Sequence, residues 1–214
     1  MTRQDELAAN LASVQARITN PDVTLIVVTK TYPVSDVETL KALGVTHFGE
    51  NRNEEGIDKS AIVDATWHYQ GEIQSRKLRD IARWADVIHS LDNASHITKL
   101  DAVADRIFEV FLQLSLDGDP NRGGVGESEL PELAELVLSS KHLHLMGLMC
   151  IPPVSSTPQT AFSHISDIHR RFIARYPGSA SLSAGMSADF EIAVEFGATH
   201  IRVGSSILGS RTAR

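Results

Sequence analysis

Lys30 ends the run Thr24-Leu25-Ile26-Val27-Val28-Thr29-Lys30, so a primary amine stands at the close of a short, β-branched, apolar stretch. With Val27, Val28 and Tyr32 beside it, such an amine is partly desolvated, which lowers its pKa and frees the neutral form to attack a carbonyl. The ordinary alternative is a surface lysine just past a strand. Two later segments bear on that choice. Arg202-Val203-Gly204-Ser205-Ser206-Ile207-Leu208-Gly209 and Leu182-Ser183-Ala184-Gly185-Met186-Ser187 each follow a short apolar run with glycines and small hydroxyls. Backbone N–H groups and Ser187 there are suited to a phosphate, and Ser187 is also expected to cap the next helix. Singly, each is an ordinary Gly/Ser turn. Their pairing on adjacent strands is more informative.

Two further loops carry polar groups. Gly49-Glu50-Asn51 offers Asn51 to a phenolic oxygen, and His68-Tyr69-Gln70-Gly71 offers His68 to orient a charged neighbour; the alternative for either side chain is to satisfy local backbone. Other signals are weaker. The glycine-rich stretch 118–126 lacks the Gly-Lys-Ser/Thr ending of a P-loop and reads as a connecting loop. His142 and His144 share a strand face but have no third ligand near them, and His164 and His169 lack i, i+4 spacing. No metal site is expected.

The elements that must position these residues alternate along the chain. Leu7, Leu11, Val14 and Ile18 form the stripe of an opening helix, with Thr2 and Asp5 as an N-terminal cap. Thr24 to Val28 reads as a strand buried on both faces, Ser35 to Leu43 as a helix stopped by Gly44, and Val45 to Phe48 as the next strand. Strands follow at Thr66 to Tyr69, Asp86 to Ser90, Phe108 to Leu114, Leu143 to Met149, Ser179 to Leu182 and His200 to Val203. Helical stretches lie between them at Ser75 to Trp84, Ala94 to Asp105, Glu129 to Ser139, Thr157 to Tyr176 and Phe190 to Phe196. Eight such units predict a single (β/α)₈ TIM barrel over residues 1–214, with an extra N-terminal helix. A doubly wound open sheet is the alternative. In a barrel, Lys30, Asn51, Ser187 and Gly204 all fall at the carboxyl ends of strands, where active sites collect.

Composition narrows the function classes. A chain of 214 residues buries roughly 70% of its unfolded surface, so core size is not limiting. A net charge of −7 opposes general binding to nucleic acid or anionic membrane. The basic run Arg76-Lys77-Leu78-Arg79 with Arg83 is interrupted by Asp80 and reads as a solvated helix face. Cys150 is the only cysteine, so no intramolecular disulfide can form, and its apolar neighbours predict a buried thiol. The N-terminus has no apolar signal region and no uncharged apolar run reaches about 18 residues, which makes the cytoplasm the expected location.

These segments closely resemble the pyridoxal phosphate homeostasis protein family, which is related in fold to the N-terminal barrel of alanine racemase. The resemblance spans nearly the whole chain. It is carried by Val28-Thr29-Lys30-Thr31, Phe48-Gly49-Glu50-Asn51, Trp67-His68-Tyr69-Gln70-Gly71 through Gln74-Ser75, Gly147-Leu148-Met149, Leu182-Ser183 with Gly185-Met186-Ser187, and Arg202-Val203-Gly204. It implies that pyridoxal 5′-phosphate (PLP) is held as a Schiff base on Lys30. It further implies that Ser187, Gly204 and Ser205 hold the phosphate, that Arg202 lies beside the pyridine nitrogen, and that Asn51, His68 and Met149 border the cofactor. Arg52, Glu72, Cys150 and Ala184 depart from the family pattern, where tyrosine, a less charged residue, alanine and methionine are usual, so the first three bear on what the mouth admits.

The function so implied is storage of PLP and its supply to apo-enzymes, by a protein expected to be a monomer and not an enzyme. Racemases of this fold class draw a second base from an added β-domain, whereas this chain ends shortly after Gly209. The competing reading is a small PLP-dependent racemase-like enzyme with Lys30 as one base and Tyr32, His68 or Cys150 as the other. A third keeps the barrel but makes Lys30 an aldolase-like nucleophile acting on a phosphorylated metabolite.

Overall fold

The computed structural model describes residues 2–119 and 122–209. Eight parallel strands close into a barrel in sequence order, with the eighth pairing the first through Thr24↔His200 to Val27↔Val203. The strands are β1 (Thr24–Val28), β2 (His47–Glu50), β3 (Thr66–Tyr69), β4 (Val87–Leu91), β5 (Phe108–Leu114), β6 (Leu143–Cys150), β7 (Ser181–Met186) and β8 (His200–Val203). The open-sheet alternative is thereby excluded.

Around them run α2 (Val34–Ala42), α3 (Asn53–Ser60), α4 (Leu78–Trp84), α5 (Ala94–Val103), α6 (Leu130–Ser139), α7 (Pro158–Arg175), α8 (Phe190–Glu195) and the short α9 (Ser205–Leu208). The extra helix α1 (Arg3–Gln15) opens on a capping box between Thr2 and Asp5 and buries Leu7, Leu11 and Val14. It also ties down the end of the chain. Arg3 donates to the Leu208 carbonyl and to Asp36, and Asn10 donates to the Ile207 carbonyl, so α1 fixes α9 beneath the loop that follows β8.

The main core lies between strands and helices, as the two-sided burial of a parallel barrel requires. Inside the barrel the filling is different. Val87, Phe111 and Met149 form a small apolar cluster, and buried polar side chains, among them His68, His89, Ser183 and Arg202, lie beside it. Most element bounds lie within a few residues of expectation, and the differences that matter to the site are these. β7 runs to Met186 rather than ending at Leu182, because Ser183 and Gly185 sit inside it; β2 starts at His47; and a helix, α3, follows β2 where none was read.

Candidate functional site

A cavity of about 310 Å³ opens at the carboxyl ends of the strands. Lys30, Asn51, Met149, Ser187, Arg202, Gly204 and Ser205 all line it, joined by Val28, Tyr32, Gln70, Ile151, Met186 and Ala188.

On the β1–β2 side the walls are ionic. Lys30 is half-buried one residue beyond Thr29, which is completely buried. The next residue, Thr31, adopts φ +71°, a left-handed conformation that a β-branched residue rarely takes. Its N–H donates to Glu55 Oε2 at 2.7 Å. Asn51 Oδ1 and Gln70 Nε2 are buried at this wall without a hydrogen-bond partner. Buried polar groups are normally paired, so an acceptor and a donor facing one cavity mark a place for a ligand.

Around Ser187, on the β7–β8 side, the donors are neutral. Ser187 Oγ accepts from the N–H groups of Gly204 at 3.1 Å and Ser206 at 3.4 Å, and Ser206 Oγ donates to the Ser187 carbonyl. Ser187 is not a helix cap: Asp189 precedes α8, and the Ser187 hydroxyl is turned to the β8 loop instead. Gly185 permits this bend, with φ +93° and a position where a Cβ would come within 2.6 Å of the Ala193 Cβ.

Arg202 is buried, donating to Ser183 Oγ at 2.8 Å and to the Cys150 carbonyl at 3.2 Å. No carboxylate among the described residues lies within ion-pair distance of it. Burial pulls its pKa down to about 10, which still leaves it charged at neutral pH. Burial likewise pushes the Cys150 thiol up to about 12, so this cysteine is a protonated, inert filler.

Behind Arg202 a chain of hydrogen bonds crosses the barrel interior. Ser183 Oγ meets His89 Nδ1 at 2.9 Å, His89 Nε2 meets His68 Nδ1 at 2.8 Å, and His68 Nε2 meets His47 Nδ1 at 2.9 Å. Arg202 can only donate, so the Ser183 hydroxyl hydrogen is available to His89, and each histidine then passes its one hydrogen to the next. Phe111 stacks on His89, with ring centroids 4.5 Å apart. Burial holds His68 and His89 well below the ordinary histidine range, so both are neutral. His68 therefore supports Arg202 from inside the barrel and does not line the cavity, contrary to its expected place at the mouth.

The chain matches the family model described as alanine racemase, N-terminal domain, over residues 3–212. A Corynebacterium glutamicum protein named pyridoxal phosphate homeostasis protein is 40% identical across 88% of this chain and 90% of its own length. Its Mycobacterium leprae namesake is 36% identical across 97% and 93%. The chain belongs to the pyridoxal phosphate homeostasis protein family. Among solved structures, PipY of Synechococcus elongatus with PLP bound superposes at a TM-score of 0.84 with 34% identity, covering 95% of this chain and all of PipY. An alanine racemase of Clostridium difficile superposes at 0.80 with 14% identity, over 98% of this chain but 60% of the racemase, a likeness of fold alone.

For a pyridoxal phosphate homeostasis protein the fit can be tested on the site itself. The unpartnered Asn51 and Gln70 atoms, the amide N–H groups gathered at Ser187, and Arg202 held without a carboxylate together suit a ligand with an anionic end, a ring acceptor and a hydroxyl. Tyr32 apart, Ile151 and Ala188 are the lining residues that lie outside the sequence motifs, and their apolar side chains carry little chemical signal.

Proposed function

We propose that this protein binds PLP in the cavity at the carboxyl ends of the strands, as a Schiff base on Lys30, and that it stores the cofactor and supplies it to apo-enzymes without acting as an enzyme. The single observation that carries this is the meeting of Lys30 with a buried, carboxylate-free Arg202 across one cavity. Lys30 would supply the amine that holds the cofactor through its carbonyl carbon, with water as the leaving group. Ser187, Gly204 and Ser205 bind the phosphate, Arg202 faces the pyridine nitrogen, and Asn51 and Met149 border the ring. Bound PLP supplies an electrophilic carbon and an electron sink. Arg202 weakens that sink, because a guanidinium donates hydrogen bonds and has no proton to spare for the nitrogen.

Three features support storage over racemisation. Tyr32 donates its hydroxyl to the Gly209 carbonyl at 2.6 Å, His68 lies inside the barrel, and burial keeps Cys150 protonated, so each residue considered as a second base is otherwise engaged. The named relatives are homeostasis proteins. The proposal is of one PLP-binding unit spanning 1–214 and acting in the cytoplasm; no helix among the described residues is long and apolar enough to cross a membrane. Borohydride trapping of PLP-loaded protein followed by peptide mass mapping tests the reading: the label is expected on Lys30, and a label elsewhere overturns it. In heavy water, amino-acid α-proton exchange is expected to stay at the level of free cofactor; exchange that depends on Lys30 would make the protein an enzyme.

A further inference from the structure

Lys59 is a buried lysine that no part of the binding scheme uses. It lies on α3, is only 4% exposed, and spends all three ammonium hydrogens on the segment that carries Lys30 and its supports. Nζ donates to the Thr29 carbonyl at 2.8 Å, to Glu50 Oε1 at 2.6 Å and to Glu55 Oε2 at 2.9 Å. The same two carboxylates hold the residues on either side of Lys30. Thr29 Oγ1 donates to Glu50 Oε1 at 2.6 Å, and the Thr31 N–H donates to Glu55 Oε2 at 2.7 Å. One ammonium thus ties together both flanks of Lys30.

The backbone it braces is one that would not stay put unaided. Thr31 at φ +71° is the only non-glycine residue with positive φ among the described residues, and its branched Cβ opposes that conformation. Strain of this kind persists where surrounding contacts over-determine it, and it concentrates where position matters for function. The turn is closed by the Tyr32 N–H on the Thr29 carbonyl at 3.1 Å, and its Thr31 N–H is held by Glu55. We propose that Lys59, through Glu50 and Glu55, is a positioning residue that holds the Lys30 side chain over the cavity by clamping Thr31 in the left-handed conformation. It touches neither cofactor nor substrate. This rests on the reading of Lys30 as the PLP anchor.

The test removes the clamp without leaving a lone buried charge. In the double variant Lys59→Met/Glu50→Gln the buried ion pair becomes a neutral pair of similar volume, a change that folds tolerate better than the loss of one partner. Far-UV circular dichroism verifies folding, and Glu55→Ala, at a partly exposed side chain, provides a second variant should the first not fold. PLP affinity measured by the imine absorbance band is expected to fall at least tenfold in either variant. Adding Thr31→Gly, which adopts positive φ without a clamp, is expected to recover at least threefold of that loss. A purely structural role for Lys59 predicts no such rescue. Affinity within twofold of wild type in a folded variant, or loss without rescue, overturns the proposal.

Amide exchange in cofactor-free protein separates this from failure of the PLP reading. Protection at Thr31 is expected to drop at least tenfold in the variants, and unchanged protection overturns the clamp. A wild type that forms no imine, or a Lys30→Ala protein that titrates like wild type, would instead refute the anchor.

Discussion

The two walls of the cavity are built on opposite principles. The β1–β2 wall uses ionised groups, with Lys59, Glu50 and Glu55 paired at short range under a strained turn. The β7–β8 wall uses amide N–H groups and serine hydroxyls around a lone arginine, which the histidine chain backs from the barrel interior. On the proposed function, the difference follows from what each must hold. A covalent anchor needs its amine at one point, and the wall beneath it ties both flanks of Lys30 to one ammonium through Glu50 and Glu55. An anion and a ring nitrogen need charge and dipoles left unspent, so the facing wall keeps its carboxylate, Asp189, on the Met186 N–H and out of ion-pair distance of Arg202. A carboxylate beside Arg202 would compete with the ligand for it.

The sharpest break between the walls is expected from Lys30→Ala. This change should abolish the imine absorbance of the PLP-loaded protein altogether while leaving the thermal midpoint near that of wild type, because the side chain is half-buried and the clamp on its flanks is untouched. A residual imine in this variant, mapped to another lysine, would show that the ionic wall is not what selects the anchor.

Much of this arrangement was legible in the residues. Short apolar runs spaced by helical stripes gave the barrel, and the placing of Lys30, Ser187, Arg202 and Gly204 at strand ends gave the cavity. The clamp was not legible, and α3 explains why. Its sequence Asn-Glu-Glu-Gly-Ile-Asp-Lys-Ser turns Asn53, Gly56 and Lys59 inward and leaves Ile57 outside, an inversion of the usual stripe. Asn53 accepts from Trp84 Nε1, and Gly56 lies so close to the Trp84 ring that no side chain would fit. A helix with a polar buried face defeats periodicity, and the spacing Glu50, Glu55, Lys59 reads in isolation as surface charge. His68 was misplaced for a related reason: strand alternation does not reveal that a barrel interior holds buried polar side chains, histidines among them, beside its apolar ones.

Acid should separate the walls next. Burial pulls the pKa of His200 down to about 4, with His47 and Arg202 adding to the effect, and burial also lowers His47, His68 and His89. The unfolded chain therefore binds more protons than the folded one below about pH 6.5. Stability from these groups is full above that point and is lost as pH falls toward 4; His200 alone accounts for about 3 kcal/mol. Glu55 behaves differently. Desolvation raises its pKa, but hydrogen bonds from Lys59 and Thr31 outweigh it and leave the carboxyl below its ordinary value, so its contribution is lost only at still lower pH. Urea midpoints measured from pH 7 to 4 are expected to decline steadily, and His200→Gln should flatten the decline. A variant with the wild-type slope would mean that the histidine chain is not what senses acid.

The smallest effect is expected at Ser187. Its hydroxyl accepts from the Gly204 and Ser206 amides, and a phosphate oxygen can take over those same two donors. Ser187→Ala thus removes one hydroxyl contact but leaves both amides free for the ligand, a loss of about 1 kcal/mol, or roughly fivefold in affinity. The imine should form with an unchanged absorbance band, because the opposite wall fixes Lys30 independently. Titration with PLP and with phosphate-free pyridoxal distinguishes the cases: the variant should bind pyridoxal as wild type does and PLP more weakly. Equal losses for both ligands would mean that Ser187 shapes the loop rather than serving the anion, and the division between a wall that anchors and a wall that receives charge would then have to be redrawn at Gly204 and Arg202.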